Sequence, residues 1–415
     1  MRVEFSPPDI TEAEVQAVAS ALRSGWITTG PRVDEFEQAL ASWCATPRVA
    51  CFNSATAALE CALHLLGIGP GDEVITSAYT YTASASVICH VGATPVLADT
   101  TPGSYQIDYD ALAGLVTERT KAIIPVDIAG VMCDYDALFA RLSAVAGRFA
   151  PAPGTLQEAF DRPVILADGA HSFGASYKGK PSGSVADFTA FSFHAVKNLT
   201  TAEGGALTWR AREGLDSEAL YRQLRLLALH GQDKDALAKS RPGAWEYDII
   251  APLYKCNMTD IAAALGLAQL ERYPGLLARR RVILERYTAG LASAGVEVLQ
   301  HYTEMGTSSG HLCLVRLTGR GEDFRNRLIE AMAARGVACN VHYKPLPLLT
   351  AYRRLGFAIE DFPHAFAQYH NEVTLPLHTK LSDDEVDYVI DSFCRSYQEC
   401  AEQEYAKQER AKADV

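Results

Sequence analysis

Between about residue 49 and residue 210, short apolar runs alternate with stretches of helical spacing, and nothing else in the chain limits its fold so strongly. RVACFN (48–53) reads as a strand. ATAALECALHLLG (55–67) places apolar residues at 55, 58, 59, 62, 63 and 66 with Gly67 behind them, the spacing of a helix that stops at a glycine. DEVITS (72–77) reads as a strand and TASASVICHVG (82–92) as a helix. TPVLAD (94–99), KAIIPVD (121–127), RPVILAD (162–168) and DFTAFSF (187–193) continue as strands. Strands that alternate with helices build a mostly parallel sheet with helices on both faces, so the fold class is α/β.

Residues 143–163, rich in Ala, Pro and Gly, read as an extended connection or insertion before the VILAD strand. The pattern changes from about residue 258. A helical region spans 259–295 and is expected to break at Pro274. A strand at 311–317, a helix at 322–336, a strand at 337–343 and a last helix from about 382 follow, as a smaller α/β lobe. The expected division is 1–255 for the large domain with its N-terminal arm and 256–415 for the small one with its connecting helix. The charged tail EQEYAKQERAKADV reads as a solvated helix end or as disordered.

With 415 residues, 48% hydrophobic and 21% charged, the chain can bury a large core. Its net charge of −12 argues against nucleic acid as a partner, and any anionic substrate must be held by local cations. Ten cysteines without a C-x-x-C pair argue against a zinc ribbon and for free thiols. No metal site is expected. No run approaches 18 apolar residues, and MRVEFSPPDI carries no signal-peptide core. A reducing cytoplasm is the expected compartment.

Ligands of an open α/β sheet bind outside the carboxyl ends of its strands. VILAD ends in Asp168. In FSFHAVKNLTTAEGGALTW (191–209) the strand leads through Ser192 to Lys197. RVACFN runs into Asn53-Ser54-Ala55-Thr56 at a helix start, where free N–H groups and the helix dipole suit an anion. Singly, these are a surface lysine, a strand-end turn residue and an N-cap. Together, in chain order, they are the set that pyridoxal 5′-phosphate requires: an amine for its aldehyde, a carboxylate for its pyridine nitrogen and a cradle for its phosphate.

Five further blocks bear on this reading: WITTGP (26–31), NSATAALECAL (53–63), GDEVITSAYTYTASASVICHVGATPVLAD (71–99), ADGAHSFGASYKGKPSGSVADFTAFSFHAVKNLTTAEGGAL (167–207) and YKCNMTDIAAALGLAQLER (254–272). With them the chain resembles, over essentially its whole length, the DegT/StrS-type sugar-nucleotide aminotransferases. These are pyridoxal-phosphate enzymes of fold type I, the aspartate-aminotransferase-like fold. The resemblance implies that Lys197 binds the cofactor and shuttles a proton, and that Asp168 pairs with the pyridine nitrogen. His171 would meet the phenolic oxygen and Tyr81 would stack on the ring, although a lone Tyr81 could equally be a core residue. Thr56, Ala57 and Ser192 would hold the phosphate. Asn257 would reach it from the partner subunit, which implies a homodimer with shared sites.

Two departures stand out. Ala167 and Gly169 flank Asp168 where the family usually has Glu and Ala. The usual G-x-N-x-R reads Leu253-Tyr254-Lys255-Cys256-Asn257, which leaves open whether Lys255 or Asn257 makes the phosphate contact.

The implied reaction moves an amino group from glutamate, by way of pyridoxamine 5′-phosphate, to a keto-deoxysugar linked to UDP or dTDP. NVHYKPLPL (340–348) resembles a substrate-side loop of enzymes that aminate C4. Lys255, Arg222, Arg225, His342 and Lys344 are the cations considered for the substrate, and His194 lies nearby in sequence. The alternatives are an unlinked keto-cyclitol or aminoglycoside precursor as acceptor, a sugar dehydratase (in which the lysine position is a histidine), and a binding protein without catalysis.

Overall fold

The computed structural model describes residues 1–234 and 245–413. Its central sheet has seven strands: β1 (Val49–Phe52), β2 (Glu73–Ser77), β3 (Thr94–Ala98), β4 (Thr120–Ile124), β5 (Val164–Asp168), β6 (Phe188–Ser192) and β7 (Gly205–Trp209). Their spatial order is β1-β7-β6-β5-β4-β2-β3. Strand β7 runs antiparallel to both of its neighbours, and the other pairings are parallel. Most of these strands are buried end to end, which is why they read as unbroken apolar runs rather than as alternating ones.

Helices cover the sheet. α1 (Glu12–Arg23) and α2 (Pro31–Cys44) form the N-terminal arm, and α3 (Ala55–Leu65), α4 (Ala83–His90), α5 (Tyr135–Ala144) and α6 (Ser217–Ala228) follow the strands. One apolar core packs α3 and α6 on one face of the sheet, around Phe52, Leu59, Leu166, Phe188 and Trp209. Another packs α5 on the opposite face, around Ile75, Ile123, Leu138 and Ile165.

The chain then enters α7 (Asp260–Leu291), a single helix of 32 residues with Pro274 inside it. The expected break does not occur. A mid-helix proline removes one hydrogen bond and costs roughly 3 kcal/mol in isolation, but tertiary contacts hold α7 on both sides of Pro274. Tyr273 donates its hydroxyl to Phe173 O at 2.6 Å, and the buried Arg280 donates to the carbonyls of Gly310, His311 and Leu377.

Beyond α7 a small antiparallel sheet, β8 (Glu297–Val298), β9 (Cys313–Arg316) and β10 (Glu372–Leu375), packs with α8 (Glu322–Ala334) and α9 (Asp383–Ala413) around a separate core. The charged tail continues α9 to residue 413. Residues 337–343 do not form the expected strand. Val337 bridges Val3 of the N-terminal arm and Asn340 bridges Thr374, so the segment divides its backbone between two partners. Residues 143–163 lie over α3 and β4: Gln157 donates to Leu66 O at 3.0 Å, and Lys121 of β4 donates to Ala150 O at 2.5 Å.

Candidate active site

Lys197 lies in a cavity of about 380 Å³ at the carboxyl ends of β2, β5 and β6. Asp168 ends β5 and is buried. Its Oδ2 accepts from Ser84 Oγ at 2.7 Å and its Oδ1 from Ala170 N at 3.1 Å, and Ser84 is held in turn by Thr80 Oγ1 at 2.8 Å. Burial raises its pKa above the usual carboxylate range, against these hydrogen bonds and the charge of Lys197. The Lys197 amine moves the other way. Burial lowers it to about 8, opposed by the charge of Asp168. At pH 7 roughly a tenth of such amines are neutral, against about one in three thousand for an ordinary lysine.

The start of α3 faces the same space. Ser54 caps the helix and accepts from Ala57 N at 3.1 Å, so the Ala57 N–H is committed, and Ala57 packs toward the core. Among the described residues, the N–H groups of Ala55 and Thr56 have no partner within the chain, and both residues line the cavity with Ser192. The Gly204-Gly205 pair explains how the helix comes so close. A Cβ on Gly205 would lie 2.3 Å from the Ser54 carbonyl carbon and 2.4 Å from Ala55 N. Only glycine lets β7 pass beneath that helix end.

His171 is buried. Its Nδ1 accepts the N–H of Ala129 at 3.2 Å, so in the neutral ring the proton sits on Nε2, which meets the Tyr343 hydroxyl at 3.1 Å. Burial, then the Lys197 charge, holds His171 well below the usual histidine range. Ala129 adopts a left-handed φ of +58°, a strained conformation for a residue with a Cβ, and this aims its N–H at the imidazole. The His311 ring packs 4.4 Å from that of His171, and its Nδ1 meets Asn198 Oδ1 at 2.9 Å, one residue from Lys197.

Tyr81 is 59% exposed and lines the cavity beside Tyr343, which sets aside its reading as a core residue. His342 and His194 line it too. Lys255, Asn257, Lys344, Arg222 and Arg225 do not. Lys255 Nζ donates to Asn257 Oδ1, next to the end of β1, and Lys344 is exposed. Arg222 and Arg225 line a different cavity along α6, where Arg225 lies 4.0 Å from Glu37. Residues 143–163 do not reach the site cavity. Tyr343 was inside the NVHYKPLPL stretch but was not singled out there. Nothing local to Ser84, Asn198 or His311 signals a site.

This geometry fits a pyridine aldehyde phosphate: a buried carboxylate acceptor, a depressed amine and free helix-start donors share one cavity. The family model described as the DegT/DnrJ/EryC1/StrS aminotransferase family matches residues 8–149 and 155–394. The chain belongs to this family. It is an aminotransferase and uses pyridoxal 5′-phosphate. It is 38% identical over 392 residues to the spore coat polysaccharide biosynthesis protein SpsC of Bacillus subtilis, covering 94% of this chain and 95% of that one. Spr1654 from Streptococcus pneumoniae, a candidate sugar aminotransferase, superposes in its PMP form with TM-score 0.94 and 53% identity, covering 98% of this chain and 100% of the other. Its PLP form superposes with TM-score 0.93 and 54% identity, over 96% and 100%. PseC of Helicobacter pylori, an aminotransferase of pseudoaminic acid biosynthesis, follows at TM-score 0.84 and 28% identity, over 96% and 100%. Among the described residues no helix is long and apolar enough to cross a membrane. The ten cysteines are free thiols.

Proposed function

We propose that this family member moves an amino group from glutamate to a keto-deoxysugar carried on a nucleotide, at C4 of a UDP- or dTDP-linked 4-keto-6-deoxyhexose. The observation that carries the reading is that His342 and Tyr343, from the stretch that resembles a substrate-side loop, line the same cavity as Lys197. The names of SpsC, Spr1654 and PseC, each tied to polysaccharide or sugar chemistry, support it.

When bound, the cofactor supplies an aldehyde for the amine and a ring that withdraws electrons from the reacting carbon. The neutral Lys197 amine would be the nucleophile that holds it, and Nζ would serve as the group that takes up and returns a proton at the reacting carbon. Asp168, fixed by Ser84 and Ala170, would keep a proton on the ring nitrogen. Thr56 and Ser192, with the Ala55 and Thr56 N–H groups, receive the phosphate. His171 would meet the phenolic oxygen, and Tyr81 would cover a ring face. Trp245 and Ile250, 78% and 62% exposed just before Lys255 and Asn257, support a homodimer in which this segment covers the partner's site. The chain divides near residue 255 into a cofactor-binding and a smaller domain, and the free thiols suit a reducing cytoplasm.

Lys197 is the only lysine or arginine among the described residues lining the cavity. That favours a second reading, an unlinked keto-sugar or cyclitol that brings no diphosphate. The test is the visible spectrum of the protein with added cofactor. A band that forms, is bleached by glutamate, is absent in Lys197→Ala and is restored by a keto-sugar nucleotide supports the proposal. Restoration by the free sugar alone favours the second reading. A band that no amine donor changes overturns both.

A further inference from the structure

Behind the wall of the cavity lies a carboxylic acid that pairs with no cation among the described residues. Glu372, on β10, is fully buried. Its Oε1 meets Thr374 Oγ1 at 2.5 Å, and its Oε2 accepts from His342 N at 2.8 Å. Thr374 Oγ1 is in turn 2.9 Å from His342 Nδ1. Phe5 stacks on the His342 ring at 5.6 Å. Nε2 has no partner among the described residues, and the side chain lines the cavity. Carboxyl, hydroxyl and imidazole thus form one line that ends at the substrate space. Burying an acid without a counter-ion is costly, and both of its hydrogen bonds go to this line or to the residue at its end.

We infer that Glu372 and Thr374 are positioning residues that fix the tautomer of His342, so that His342 presents Nε2–H as a donor to the acceptor sugar. The part of this that names the sugar rests on the proposed function. In the neutral acid the Glu372 O–H donates to Thr374 Oγ, the Thr374 O–H donates to His342 Nδ1, and the imidazole proton is left on Nε2. Burial raises Glu372 to about 8, against Thr374, the His342 N–H and Arg325. Burial and the Lys197 charge lower His342 to about 4, so its ring is neutral at pH 7. The other charged or titratable groups that face Glu372 are Arg316, Tyr79, Tyr105, Tyr343, Cys313 and Cys339. Arg325 is paired with Glu322 and Arg316 with Glu297, so neither neutralises the acid by contact. Once Glu372 ionises it can only accept. The line then reverses, and Nε2 becomes an acceptor.

The experiment is nitrogen NMR of the cofactor-loaded enzyme with labelled histidine, the His342 signals being assigned by their loss in His342→Gln. The expected result at pH 7 is the Nε2–H tautomer in wild type and in Glu372→Gln, whose amide donates to Thr374 as the neutral acid does. Above the Glu372 titration at about 8, wild type should switch to Nδ1–H while Glu372→Gln does not. Thr374→Val should lose the preference and raise KM for the keto-sugar about tenfold, with kcat changed by less than about twofold. A wild-type Nδ1–H tautomer at pH 7, or the same pH response in wild type and Glu372→Gln, overturns the relay. An enzyme that aminates no keto-sugar overturns the substrate reading instead, while the tautomer signals still decide the relay.

Discussion

The wall of the cavity that carries Lys197 and the wall that carries His342 are made in different ways. The first comes from the ends of two neighbouring parallel strands of the central sheet, with Asp168 closing β5 and Ser192 closing β6. The second is delivered by chain 145 or more residues further on. It docks through an apolar core in which Ala78, Tyr79 and Tyr105 meet Leu312, Leu314 and Leu346. The first wall holds the groups whose charges oppose each other, a raised carboxyl and a lowered amine. The second holds the His342 imidazole, kept neutral by burial, and the Tyr343 hydroxyl. Under the proposed function, the chemistry common to both half-reactions would belong to the sheet edge, and the choice of acceptor to the docked wall.

The largest effect should come from the sheet edge. Lys197→Ala is expected to lose at least about 10⁴-fold in turnover with either substrate, measured as single half-reactions. A defect confined to the sugar half-reaction would break the comparison. Asp168→Asn should cost about 10²- to 10³-fold in kcat in both half-reactions, because an electrostatic partner of the reacting ring is lost. The docked wall should respond more weakly and more selectively. Tyr343→Phe removes the group that meets His171 Nε2 and should lower kcat/KM about tenfold, mostly with the sugar. Equal losses with glutamate and sugar would place Tyr343 with the sheet edge.

A pH experiment sharpens the same contrast. Capture of cofactor by the cofactor-free protein needs the neutral Lys197 amine, so its rate should rise with pH and level off above about 8. The Asp168 charge raises the lysine, so in Asp168→Asn the midpoint should move below that value. An upward move would contradict the assigned coupling.

The smallest effect lies outside both walls. Glu37 is buried and accepts from Cys51 N at 2.8 Å and Tyr221 Oη at 2.6 Å. Burial raises it to about 7, against Arg225 and Tyr221. Because its folded value lies above its unfolded one, the folded chain binds the extra proton. Stability on this account is full below the ordinary carboxyl range and falls as pH rises through about 7. Glu37→Gln should shrink the Tm difference between about pH 5 and pH 8 by roughly 1–3 °C in calorimetry.

The sheet edge was legible in the sequence because its signals are local. Fully buried parallel strands read as apolar runs, and an Asp, a Ser or a Lys just past each run is placed by the strand before it. The docked wall was not legible in the same way. His342 and Tyr343 sit in a segment whose residue composition suggests a strand, yet its backbone is shared between Val3 and Thr374. His311 and Asn198 meet across 113 residues. Glu372 looks like an outward-facing charge in a short strand until β9 and the segment around residue 340 close over it. The continuity of α7 was missed for a related reason, since the penalty at Pro274 is local and the contacts that overcome it are not. The proposed cross-subunit residues Lys255 and Asn257 lie apart from the cavity of their own chain, as do Arg222 and Arg225.

The unbroken α7 also has a mechanical consequence. At 1.5 Å per residue its 32 residues make a beam of about 48 Å. One end is rooted three residues after Asn257. The other carries the small antiparallel sheet, and Arg280 clamps it to the loops at 310 and 377. A beam passes rotation along its length instead of absorbing it. A tilt of the small sheet that closed His342 onto a substrate would therefore swing the segment around Asn257, unless the beam yields where it lacks one hydrogen bond, at Pro274. Bending strain along this helix would have a soft point to collect in at Pro274, beside Tyr273, whose hydroxyl ties the helix to Phe173 O.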